Sequence, residues 1–158
     1  MAGAEQFHSF LVDVFGRINK IEERAMAEGL GSALSITEIH IIEKIGAHES
    51  ARMGEVAKSI GVTLATLTVA CDKLVAKGLV RRMRSAEDRR VVNITLTAKG
   101  RAAYEYHQAF HDRMIAAMLE DLSPEQAAVL AQSLQKLQAF FRKEEAVIDG
   151  QERRPCDP

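Results

Sequence analysis

Phe7, Phe10, Leu11, Val14, Phe15, Ile18 and Ile21 recur at steps of three and four, the interval that stacks side chains along one stripe of a helix. The pattern predicts a first helix over about residues 4–27, ended by Gly29 and Gly31. Ser35-Ile36-Thr37-Glu38 reads as a capping box, in which the Ser hydroxyl and the Glu carboxylate satisfy free backbone N–H groups. It opens a second helix to about Gly46.

From Met53 to Ala70 the spacing is more specific than simple amphipathicity. Val56, Ile60, Leu67 and Ala70 would bury the inside of an angle between two helices, the small Ala57 would let them cross closely, and Gly61 would supply a left-handed turn residue. The second helix of this pair spans about 63–77 and stops at Gly78. Leu79–Arg84 and Val91–Leu96 are short and β-branched or alternating, with Val92, Ile94 and Leu96 on one face. The polar stretch 85–90 between them makes a hairpin with a charged tip, the wing of a winged helix-turn-helix. Thr97 then caps a long helix to about Leu119.

Leu122-Ser123-Pro124-Glu125-Gln126 is a helix start, with Ser123 as cap and Pro124 at the first helical position. The helix ahead carries Leu130, Leu134, Leu137 and Phe141 in one stripe, with Phe140 beside it. This stripe and that of the first helix exceed what a three-helix reading domain covers, which predicts that the terminal helices pack together and against a second copy. The fold class expected is mainly α (α+β), a winged helix-turn-helix with N- and C-terminal dimerisation helices. Its parts are residues 1–34, the reading domain 35–98, the C-terminal helices 99–148, and a disordered tail over 149–158.

Composition agrees. The 158 residues suit one domain with added helices, and 47% hydrophobic against 27% charged residues is too apolar for a disordered chain. No apolar run approaches ~18 residues and the N-terminus lacks a basic stretch before an apolar one, so neither a membrane span nor a secretory signal is expected. Cys71 and Cys156 lie far apart, which argues against a disulfide framework. A cytoplasmic protein with reduced thiols is expected.

The net charge of -1 gives no global sign of nucleic acid, but its distribution does. Between Asp72 and Arg90 seven bases, Lys77 and Arg82 among them, stand against three acids, in a chain acidic elsewhere. A cationic patch on a winged motif is the footprint of a reader of double-stranded DNA. Thr63, Leu64, Ala65, Thr66 and Thr68 form the first turns of the recognition helix, Thr63 being the expected cap. With no Arg or Asn there for a bidentate base contact, discrimination per contact should be modest. Lys73, Arg81 and Arg84 would add contacts, and Arg89 and Arg90 at the wing would enter a minor groove, oriented by Asp88.

Asp88-Arg89-Arg90, followed by Leu96-Thr97-Ala98-Lys99-Gly100, resembles the signature of the MarR family of dimeric winged helix-turn-helix regulators, and the likeness extends over nearly all of residues 5–145. Ile21-Glu22-Glu23, Glu38-Ile39-His40, Val62-Thr63-Leu64, Arg84-Ser85, Glu87 to Val92, and His107 with Phe110-His111 resemble the subgroup that represses fatty-acid synthesis genes. The resemblance implies a homodimer on a palindromic operator and, for that subgroup, a long-chain acyl group on acyl carrier protein as corepressor. It also implies an acyl pocket bordered by Phe15, Ile18, His107, Phe110 and His111. Val69 departs from the wider family, many of whose members carry Arg there.

His107 and His111 are four apart on one helix, a spacing able to share a metal, with Glu105 nearby. Tyr104, Tyr106 and Phe110 suit a packed helix better, so no metal or cofactor is assigned, although His8 and His40 would be able to close such a site through folding. Cys71 falls on the inner face of the recognition helix and reads as a core side chain. No G-x-S-x-G, H-E-x-x-H or phosphate-binding Gly-rich loop occurs, so the chain is not read as an enzyme. Two alternatives stay open: a sensor of the same fold released from DNA by a small lipophilic or aromatic ligand or a metal, and a winged protein-interaction module that has lost DNA.

Overall fold

The computed structural model describes residues 2–31, 33–48, 50–84 and 91–152. The chain divides into two compact units, residues 1–113 and 114–158. The first unit opens with α1 (Ala2–Ser9), one π-helical turn (Phe10–Val14) and α2 (Phe15–Leu30). The helical path therefore runs further than the expected 4–27, through Gly29, and closes at Gly31 in the left-handed region (φ 62°). Gly29 lies within the helix, where the lack of a side chain makes room for Tyr106: a Cβ built there would collide with that ring.

The buried face of α2 also differs from expectation. Ile21 is 52% exposed, whereas Glu22 and Met26 are buried. The register is thus one residue off the predicted stripe, and it takes a carboxylate into the interior.

α3 (Ile36–Gly46) begins with the expected capping box: the Ser35 N–H donates to the Glu38 carboxylate at 2.8 Å and the Glu38 N–H to the Ser35 hydroxyl. Ile39, Ile41, Ile42 and Ile45 of α3 are fully buried and form the centre of the core. Around them pack α4 (Met53–Ser59), α5 (Leu64–Ala76), β2 (Val80–Arg84) and β3 (Val92–Leu96). The pattern did not indicate β1 (Ala51–Arg52), which pairs antiparallel with β3 through Ala51 and Ile94. The sheet order is β1-β3-β2, with Val80 opposite Leu96 and Arg84 opposite Val92.

α6 (Ala98–Leu119) starts at Thr97, whose hydroxyl accepts from the Gly100 N–H at 3.0 Å and donates to the Gly78 carbonyl at 2.6 Å. One side chain thereby caps α6 and ties it to the start of the wing. In the second unit α7 (Pro124–Glu152) opens on a reciprocal Ser123–Gln126 cap, as the sequence indicates. It continues through Glu152, so residues 149–152 belong to a helix and not to the expected disordered tail. The remainder of that tail, 153–158, lies outside the described residues.

Lys77 corrects the charge picture. Its ammonium donates to both Glu38 oxygens, at 2.8 and 3.0 Å, and to the Ala33 carbonyl. It is an internal counterion for a buried carboxylate and does not belong to a DNA-facing patch. Lys77→Ala should destabilise the fold by about 2 kcal/mol, because Glu38 loses its charged partner in a buried place. The urea midpoint measures this, and an unchanged midpoint would show the pair to be dispensable.

Candidate nucleic-acid interface

α4 and α5 are joined by Ile60–Thr63 and bent by 108°, the geometry of a helix-turn-helix. The turn follows from its residues. Gly61 takes φ 70°, where a side chain would be strained, and the Val62 N–H returns to the Ala57 carbonyl at 3.0 Å. Val56, Ala57 and Leu67 are buried at the crossing, with Ile60 and Ala70 half-buried beside them.

Thr63 caps α5 as expected, its hydroxyl accepting from the Thr66 N–H at 3.1 Å. The hydroxyls of Thr63 and Thr66 lie 2.9 Å apart, and the Thr68 hydroxyl donates to the Leu64 carbonyl at 2.7 Å. Leu64, Ala65, Thr66 and Val69 point outward, with Leu64 55% and Val69 58% exposed, while Leu67, Cys71 and Leu74 face the core. Burial pushes the Cys71 thiol up, more than the nearby Arg82 guanidinium lowers it, which fits a core side chain and not a reactive thiolate.

The cations divide into two kinds. Arg82 is held by Asp72 and by the Thr68 carbonyl at 2.9 Å, so it braces the wing against α5. Arg81 stays exposed while its Nε donates to the buried Thr95 hydroxyl at 2.9 Å. Lys73 and Arg84 are exposed and make no ion pair among the described residues. Arg89, Arg90 and Asp88 lie outside the described residues. Between α4, the start of α5 and the wing strands is a concave site of about 600 Å³, lined among others by Arg52, Glu55, Leu64, Thr68 and Val92. Exposed apolar, hydroxyl and cationic groups thus share one face of the helix-turn-helix.

The expected effector residues fall on α2 and α6. Phe15 opens α2, and its side chain lies outside the described set; Ile18 is half-buried. His107 is buried, and His111 and Phe110 are half-buried with their rings edge-on at 5.8 Å. Sequence reasoning missed Glu22, whose Oε1 lies 3.3 Å from His111 Nε2 and whose Oε2 lies 3.9 Å from His107 Nε2. A signal was available: Glu22 stands four residues from both Ile18 and Met26, a carboxylate on a helix face otherwise apolar. Glu105, weighed as a metal ligand, is exposed and outside this cluster. Burial, then the neighbouring His111, lowers the His107 pKa and holds its ring neutral.

The sequence profile of the MarR family matches residues 34–92, from the start of α3 to the wing. The HTH-type transcriptional repressor YetL of Bacillus subtilis is 30% identical over 84% of this chain and 79% of its own length. The chain belongs to the MarR family. It is a DNA-binding transcription regulator and not an enzyme, as its relatives and neighbours are. Among solved structures, Streptococcus pneumoniae FabT in complex with DNA is 34% identical with a TM-score of 0.78, covering 88% of this chain and 97% of that one. A mutant of E. coli MarR complexed with operator DNA is 26% identical with a TM-score of 0.57, covering 82% of this chain and 96% of its own. No single helix among the described residues is long and apolar enough to cross a membrane.

Proposed function

We propose that this chain is a cytoplasmic homodimeric repressor of fatty-acid synthesis genes that binds a palindromic operator with acyl-loaded acyl carrier protein as corepressor. The observation that carries it is the exposed face of α5, where Leu64, Ala65, Thr66 and Val69 turn outward beside Lys73 and Arg84. The 34% identity to FabT in its DNA complex supports the DNA-binding role, and the choice of genes rests on the sequence resemblance to the fatty-acid subgroup. Dimerisation is supported by apolar side chains left uncovered in the single chain. In the first unit Phe7 is 69% and Val12 63% exposed; in the second Val129 is 63%, Phe140 56% and Ile148 56%.

In this reading Thr63 is mainly a cap, Thr68 presents a methyl group with its proton already donated, and base contact falls to Leu64, Ala65 and Thr66. Lys73, Arg81 and Arg84 neutralise phosphates, and Arg89 and Arg90, with Asp88, serve the wing tip. Two recognition helices would meet half-sites about one helical turn, ~34 Å, apart.

The test is operator affinity measured with and without acyl carrier protein carrying a long acyl chain. Affinity should rise with the acyl form, and by linkage the acyl form should bind the DNA-bound dimer more tightly. A fall in affinity would favour a sensor released by its ligand; no response would remove the fatty-acid role and leave DNA binding intact. Across 50 to 200 mM salt, a reader contacting ~6 to 10 phosphates should lose ~10³ to 10⁵ in affinity, whereas a flat response would favour a protein-interaction module. Arg90→Ala should weaken operator binding roughly tenfold with the dimer intact, and unchanged affinity would refute its wing role.

A further inference from the structure

We propose that Glu22, His107 and His111 form a binding site for one divalent transition-metal ion of the zinc class. Glu22 comes from α2, and the two histidines stand one turn apart on α6. All belong to the first unit. One ligand atom from each of Glu22, His107 and His111 lies within 4.8 Å of the others.

The separations suit an ion. His107 Nε2 and His111 Nε2 are 3.0 Å apart, and the Glu22 oxygens lie 3.3 Å from His111 and 3.9 Å from His107. A tetrahedral ion bound at about 2.0–2.1 Å sets neighbouring ligand atoms about 3.3 Å apart, within that range. Small adjustments of side chains already facing one another would bring three donors to bonding distance and leave the fourth position to solvent.

The protein alone satisfies this cluster poorly. Glu22 and His107 are buried, at 3% and 1% exposure, and the ion-pair partners of Glu22 among the described residues are these two imidazoles. No Lys or Arg among the described residues pairs with this carboxylate, and buried charges are found paired or on a metal. As a simple hydrogen bond, the His107–His111 contact needs one Nε2 to carry a proton and the other to be bare. His107 Nδ1 has no partner among the described residues, and coordination through Nε2 would place the ring proton on that nitrogen. A divalent cation supplies the missing positive charge and accepts both Nε2 lone pairs.

The donors set the ion's class. Two imidazoles and a carboxylate form a mixed nitrogen and oxygen set. Imidazole suits zinc, nickel and copper, whereas magnesium and calcium prefer all-oxygen shells.

The test uses the full chain, stripped with a chelator and free of DNA, so its result stands apart from the fate of the repressor reading. Calorimetric titration with zinc chloride should give one ion per chain, and cobalt(II) should give the intense visible bands of a tetrahedral centre. His111→Gln and Glu22→Gln should each weaken zinc binding by about 100-fold or more, since even outer-shell partners of metal ligands are worth 10- to 100-fold. Circular dichroism of the stripped variants should match wild type. His111 is half-buried, so its variant keeps the test informative if the Glu22 variant misfolds. Absence of saturable binding in wild type would overturn the proposal, as would a folded His111→Gln variant that binds zinc as tightly as wild type.

Discussion

Gly100→Ala is expected to lower the melting temperature by roughly 10 °C, a loss of about 3 kcal/mol or more at 2–4 °C per kcal/mol for a chain of this length. A Cβ built at Gly100 would stand 1.9 Å from the Leu79 carbonyl oxygen and 2.9 Å from its carbon. Two effects oppose each other. Alanine in a helix gains up to about 1 kcal/mol over glycine, but this clash is with backbone and no side-chain rotation relieves it.

The neighbourhood cannot simply open. The Thr97 N–H donates to the same Leu79 carbonyl at 3.0 Å, the Thr97 hydroxyl holds Gly78, and the Lys99 ammonium donates to the Lys77 carbonyl at 3.0 Å. Separating α6 from the wing strand by an ångström or more breaks these bonds together. Gly54→Ala is the control, because nothing lies within 4 Å of the Cβ built there, and it should be neutral or stabilising by up to about 1 kcal/mol. Equal melting temperatures for the two variants would show that the strand start does not press on α6.

How far the fold was legible depended on how local each cause was. The capping box at Ser35, the left-handed Gly61 and the Thr63 cap each act within a few residues, and they appear where the sequence places them. The two-residue β1 was not legible, since it exists only by pairing with β3 about forty residues later. Ile21 and Glu22 exchange roles for the same reason. Periodicity alone puts the isoleucine inward, but packing turns the face by one position and offers the carboxylate two histidines from α6. Lys77 and Arg82 look like part of a cationic surface in sequence, yet partners at Glu38 and Asp72 draw both into structural work. Lys73 and Arg84 remain outward, and the wing-tip residues 85–90 lie outside the described residues. A count of charges thus overstated how many cations this face leaves unpaired.

Ala65→Glu is expected to reduce operator affinity by on the order of 100-fold or more while leaving the fold intact. Ala65 is exposed in the first turn of α5, where no core contact constrains it. Glutamate is a good helix former, and a negative charge near a helix N-terminus is stabilising, so the melting temperature should hold or rise slightly. Against DNA the same carboxylate would meet phosphates and base-edge acceptors, and like-charge juxtaposition in an interface costs several kcal/mol. Thr68→Ala separates that repulsion from mere loss of a hydroxyl: the Thr68 proton is already given to the Leu64 carbonyl, so its removal should change affinity by only a few-fold. Fluorescence anisotropy on operator DNA, with the dimer verified by sedimentation, measures both. If Ala65→Glu bound as tightly as wild type, the outward face of α5 would not enter the groove, and the concave side of the wing, with Arg52 and Thr68 among its lining, would have to carry the contact instead.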